Sequence, residues 1–258
     1  MLKRKYVNFF VISLLVALIS LNFVIDIPWF IYLIILFLWL LITLFGSFFI
    51  RWNYHLTSLS SNKNIQENNV SLTFDDGPNA EFTPQILDLL EKHNAKATFF
   101  LIGKYAEKHP TIVQDILKKG HSIGNHTYSH TNDFGFFGTN KVISELNTTK
   151  GIVEKITGFK MLLYRPAFGV TNPSIQEAVA NLKVNSIGWS VRSLDTTSRS
   201  EDAILKRITA KVSKGDIILL HDTSKKTIVV LERLLLFLQA NNLKSVPAEQ
   251  LLNIKAYE

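Results

Sequence analysis

The chain has 258 residues, 47% of them hydrophobic, a formal charge of +7 and no cysteine. That length suits one sizeable domain plus an appendage. The lack of cysteine excludes disulfides and thiolate zinc sites, and a mild basic excess with no long basic run argues against nucleic acid as a partner.

The apolar residues are concentrated at the N-terminus. Residues 6–25 are interrupted only by Asn8, Ser13, Ser20 and Asn22; Asp26-Ile27-Pro28 breaks the run, and 29–50 carry no charge. Each block is long enough to span a bilayer as a helix, and together they are too long for one span. Trp29, Trp52 and Tyr54 stand at block ends, where interfacial aromatics are expected. No small-x-small cleavage site stands out, so the expectation for residues 1–55 is a membrane anchor of two transmembrane helices, not a cleaved signal peptide. Lys3, Arg4 and Lys5 precede the first helix, Arg51 follows the second, and the turn has no positive charge. By the positive-inside rule both ends are cytoplasmic, which puts the rest of an integral membrane protein on the cytoplasmic face.

Residues 56–69, rich in Ser and Asn, read as a linker, and 70–258 as the soluble domain. Val70 to Phe74 is a candidate buried strand ending on Asp75 and Asp76, with Gly77-Pro78 as a stop. Helical spacing follows over 84–93, a strand over 97–102, a helix over 111–119 and a short strand over 122–125. Helices are expected over 141–156, 174–182, 201–212 and 225–240, and strands over 162–164, 185–191 and 216–220. Alternating strands and helices predict a parallel α/β fold. The polar residues of interest fall just after strands, where α/β barrels build their sites.

Two adjacent carboxylates repel and need a cation or a proton. His126 and His130, four residues apart, are a weak metal signal alone. Joined to an Asp at another strand end they make a His₂-carboxylate set that suits zinc, with iron as the alternative. Arg165 beside the carboxylate pair is placed to orient a catalytic Asp. Asp195, His221 and Asp222 also close strands, and His221 is a general-acid candidate.

TFDDGP at 73–78, HTYSH at 126–130, RPAFG at 165–169, WSVRSLD at 189–195 and LLH at 219–221 occur in this order. Together they resemble the NodB-type polysaccharide deacetylases, the metal-dependent carbohydrate esterases, over about Val70 to Leu238. The resemblance implies a distorted (β/α) barrel of about seven strands that hydrolyses the N-acetyl group of an amino sugar in a glycan. It implies Asp76, His126 and His130 as ligands of a divalent metal, zinc first, and Asp75 as the general base. It further implies Arg165 as the residue orienting Asp75, the Phe168 N–H as an oxyanion donor, and His221 as the acid paired to Asp195. Leu219 would lie near the acetyl methyl. Thr131, Ala167, Arg192 and Thr196 depart from the family pattern, which changes the expected substrate groove. Arg192, where an Asp is usual, is a candidate contact for an anionic substrate group. The alternatives to a polysaccharide deacetylase are a deacylase of a lipid-linked sugar at the cytoplasmic face and a non-catalytic glycan-binding protein. The expected partners are thus an amino-sugar glycan and the lipid bilayer.

Overall fold

The computed structural model describes residues 2–258. It opens with a helical hairpin, α1 (Arg4–Leu21) and α2 (Phe30–Phe48). Both helices are long and apolar enough to cross a membrane, and only 6% of each apolar window is buried by the rest of the protein. A core helix would be covered; these are not. The first helix ends at Leu21 rather than near Ile25, because the Asn22 side chain accepts from the Ile27 N–H and folds 22–27 into the turn. Trp39 Nε1 donates to Asn8 Oδ1 at 2.9 Å and ties the two helices together.

The remaining elements are β1 (Asn69–Gly77), α3 (Phe82–Lys92), β2 (Ala97–Leu101), α4 (Gly103–Lys108), α5 (Pro110–Lys118), β3 (Ser122–Asn125), α6 (Thr139–Thr157), β4 (Leu163–Tyr164), α7 (Pro173–Leu182), β5 (Asn185–Ser186), β6 (Val191–Arg192), α8 (Glu201–Thr209), β7 (Ile217–His221), α9 (Lys225–Ala240), β8 (Lys244–Ser245) and α10 (Ala248–Leu252). Seven parallel strands run in the order β5-β4-β3-β2-β1-β7-β6, and β8 pairs with the start of β1. This is the expected distorted (β/α) barrel, left open between β5 and β6.

Side chains alternate across the central strand. Val70, Leu72 and Phe74 point outward into the main core, shared with Ile86, Leu90, Leu231 and Leu234 of the covering helices. Ser71, Thr73 and Asp75 take the other face, where all three are buried. The lower barrel is plugged by Phe100, Leu163, Ile217, Val246 and Leu251, so the polar upper half rests on an apolar floor.

The strand expected over 185–191 is broken into β5 and β6. Its middle carbonyls, Ile187 O and Gly188 O, accept from Arg165, so they are not available to a neighbouring strand. The segment expected as a linker is also not loose. Leu59 lies beside Ile187 in the barrel seam, donating to Ser186 O and accepting from Gly188 N, and Ser61 bridges to Asp216. The hairpin docks on the same region. Tyr54 lies so close to Gly46 that a Cβ there would fall 2.4 Å from its ring. Ser47 Oγ is 3.0 Å from His55 Nε2, and Thr171 N donates to Ser47 O.

Candidate active site

The first motif sits at the upper end of β1. The ladder with β2 is regular up to Asp75 and then skips, with Gly77 opposite Leu101. This bulge puts Asp76 at φ 73. In a regular strand neighbouring side chains would face opposite ways; here both carboxylates serve the same end of the barrel. Below the turn, Asp222 is fully buried and accepts from Thr83 Oγ1 at 2.5 Å. A Cβ on Gly77 would lie 2.1 Å from that carboxylate, so only glycine fits. Burial pushes the Asp222 pKa up to about 7.

Arg165 runs through the barrel interior, completely buried. Its Nη1 donates to Asp75 Oδ1 at 2.7 Å and to Thr73 Oγ1 at 2.8 Å, while Nε and Nη2 donate to the Ile187 and Gly188 carbonyls. The guanidinium also lies 4.0 Å over the Phe100 ring. A planar fork with five donors satisfies four acceptors here in a way that lysine would not.

His126 donates from Nδ1 to the Arg165 carbonyl at 2.9 Å, which turns Nε2 to Asp76: without a metal it carries a proton toward that carboxylate, and deprotonated it offers its lone pair to a cation. That Nε2 and His130 Nε2 each lie 3.4 Å from Asp76 Oδ1. One ligand atom from each residue falls within 4.8 Å of the others. Burial, then the neighbouring His126, pushes His130 down to about 4, so its imidazole is neutral, the form that binds metals. Burial alone would raise the Asp76 pKa, but the His126 hydrogen bond and the surrounding histidines hold it well below the carboxylate range. His130 Nε2 is buried and has no hydrogen-bond partner among the described residues. An orphaned nitrogen facing an anionic carboxylate and a second lone pair fits a divalent cation. The loop that presents these histidines is pinned by Glu145 of α6, which accepts from the Tyr128 and Ser129 N–H groups. Nothing in the sequence marks Glu145 for this role, because a helical glutamate shows no pattern that distinguishes a loop anchor.

On the other side of Asp75, His221 is its register partner across β1 and β7. His221 donates from Nδ1 to Asp195 Oδ1 at 2.8 Å and from its backbone N–H to Asp195 Oδ2 at 2.8 Å. Ser193 and Thr227 donate to the same carboxylate. Burial would lower the His221 pKa, but the Asp195 hydrogen bond and charge, with Asp75 and Asp76 behind them, raise it to about 9. Leu219 lies two residues below on the same face and is buried. Phe168 is held at φ 57, 47% exposed, with its ring 4.5 Å from the His130 ring. Arg192 and Thr196 are exposed; the Arg192 guanidinium lies 5.8 Å over the Trp189 ring.

The nine residues expected from the sequence therefore cluster at the C-terminal ends of five strands. A family model for polysaccharide deacetylases matches residues 62–187. The chain is 36% identical over 154 residues to a chitooligosaccharide deacetylase of Sinorhizobium fredii, an alignment covering 59% of this chain and 71% of that one. The chain belongs to the polysaccharide deacetylase family. A peptidoglycan-N-acetylglucosamine deacetylase of Bacillus cereus shares 40% identity over 154 residues, covering 60% of this polysaccharide deacetylase homologue. The chain spans only about half, 56%, of that relative. Among solved structures, the Bc1960 peptidoglycan N-acetylglucosamine deacetylase superposes with a TM-score of 0.73 at 32% identity, covering 78% of this family member and 94% of that chain.

Proposed function

We propose that this chain is a membrane-anchored, divalent-metal-dependent deacetylase that hydrolyses the N-acetyl group of an amino sugar within a glycan. The observation that carries the reading is the flanking of one donor set, Asp76, His126 and His130, by Arg165-paired Asp75 and Asp195-paired His221. A glycan-binding protein has no use for a buried base and a charged acid on opposite sides of the same cation site. The names of the relatives support peptidoglycan or chitin-like oligomers as substrate class. The two apolar helices support the bilayer as the anchor.

A cation held by Asp76, His126 and His130, zinc by donor type, would acidify the attacking water and polarise the acetamide carbonyl. The chain's own residues do the rest. Asp75 accepts the proton of the attacking water, and Arg165 fixes the carboxylate for that transfer. The Phe168 N–H donates to the oxyanion that develops as the carbonyl becomes tetrahedral. His221 gives its proton to the departing amine, so the C–N bond breaks to leave acetate and a free amino sugar. Leu219 bounds the space for the acetyl methyl.

The test is acetate release from an N-acetylglucosamine oligomer by the full chain in detergent. Activity is expected to disappear on treatment with dipicolinate and to return with added zinc. Zinc binding without any acetate release would reject the enzyme in favour of a binding protein.

The pH dependence follows from His221. A raised pKa means that the acid is protonated below about 9 and lost above it, so kcat/KM should fall as pH rises through about 9. The protonated side chain also contributes stability that is complete below 6.5, the ordinary imidazole value, and is lost as pH passes about 9. Asp195→Asn removes the main raising influence and should move the alkaline limb to lower pH. A limb that stays in place would assign the leaving-group proton to another residue.

A further inference from the structure

A second site lies away from the catalytic cluster, at the junction between the hairpin and the barrel. A cavity of about 970 Å³ opens between the first turn of α1, residues 53–59, and the outer face of α7 and β5. Lys3, Arg4 and Lys5 line it from the hairpin, and Lys183 lines it from the C-terminal end of α7. Among the described residues no acidic side chain lines it. None of the four cations has a carboxylate partner among the described residues, although the protein pairs several other lysines. Apolar side chains, Val179 among them, make up part of the wall. His55 lines it too, but burial and the nearby Arg4 charge push its pKa down to about 4, so it adds no charge at neutral pH.

Four cations without a carboxylate partner, of which Lys5 alone lies over an aromatic ring, that of Tyr6 at 4.9 Å, surround one concave space, repel one another and call for an anion. The place of the cavity narrows the choice. Its floor is the start of a helix whose apolar residues begin at Tyr6 and Val7. With the hairpin spanning the bilayer, that level is the headgroup layer, where lipid phosphates lie. A site with cations at one height and apolar wall beside them fits a phosphate diester that continues into glycerol and acyl chains. We propose that this cavity binds the headgroup of an anionic phospholipid, with Lys183 as the contact from the barrel and Arg4 as the contact from the hairpin. The inference rests on the membrane reading above. It goes beyond that reading, because a general attraction of N-terminal lysines to lipid would not involve a residue on the barrel.

The test uses the full chain in neutral detergent doped with phosphatidylglycerol or phosphatidylcholine, with bound lipid counted by native mass spectrometry. Wild type should retain phosphatidylglycerol in preference to phosphatidylcholine. Lys183→Gln should weaken that retention about fivefold, the effect of one cation at a lipid surface. Lys183→Arg should restore it. Equal retention of phosphatidylglycerol by Lys183→Gln and wild type would overturn the proposal, as would equal retention of the two lipids by wild type. Displacement of the lipid by millimolar glycerol phosphate would also overturn it and assign the cavity to a soluble phosphate ester. Flotation of wild type with pure phosphatidylcholine vesicles separates the two readings. Failure to float removes the membrane anchor and this site together. Flotation without phosphatidylglycerol preference removes the site alone.

Discussion

Asp75→Asn is expected to lower kcat for deacetylation by about 10³-fold, within the range for losing a positioned general base. The substituted amide keeps the shape of the side chain, and its oxygen still accepts from Arg165 Nη1, which lies 2.7 Å from Asp75 Oδ1. The donor set on Asp76, His126 and His130 is untouched. The variant should therefore load one zinc like wild type, and KM should change little. Elemental analysis alongside steady-state kinetics checks both halves. Zinc loading with more than a tenth of wild-type kcat would remove Asp75 from the role of base. Asp76→Asn is the contrast: there the metal itself should be lost, and added zinc should recover little activity.

Arg165→Met is expected to have the largest effect on stability, about 3–5 kcal/mol. The side chain is completely buried, so methionine fills much of its volume, but the polar groups around it do not vanish. Asp75 would be left as a buried carboxylate without its cation, and the Ile187 and Gly188 carbonyls would lose their donors. Against a typical total of about 5–15 kcal/mol that is a large fraction. Chemical denaturation should show a lowered midpoint with little change in slope. Arg165→Lys should recover part of the loss, since an ammonium restores the charge but cannot reach four acceptors at once. A midpoint equal to wild type in Arg165→Met would mean that Asp75 finds another partner, and the fixed-base argument would fail with it.

Much of this site was readable from the chain because each motif closes a strand, and strands with helices between them place such ends side by side. The Asp75-Asp76 pair, the two histidines and Arg165 all fall where that logic puts them. What the sequence hid has a common cause. Glu145 and Thr83 act through single hydrogen bonds to loops distant in the chain, and no spacing announces such a bond. The two-residue strands β4, β5, β6 and β8 are too short to carry a period. The break between β5 and β6 depends on where Arg165 ends up, which is a tertiary fact. The Ser- and Asn-rich composition of 56–69 looked like a linker, yet backbone pairing to Ile187 and Asp216 binds it to the barrel. Local composition reports preference, and the unmet hydrogen bonds of an open barrel seam outweighed it.

That seam has a mechanical consequence. Residues 50–61 join the second apolar helix to the barrel without slack: Arg51 donates to the Ser190 carbonyl, Ser58 meets Ser186, and Leu59 lies against Ile187. A catalytic head on a flexible tether sweeps a volume set by tether length. With the proposed anchor in a bilayer, a head fixed in this way would work instead at one height and one tilt above it. Under the proposed activity the substrate would then have to come to it, with acetyl groups in a narrow slab beside the membrane within reach and those farther out along the same glycan beyond it.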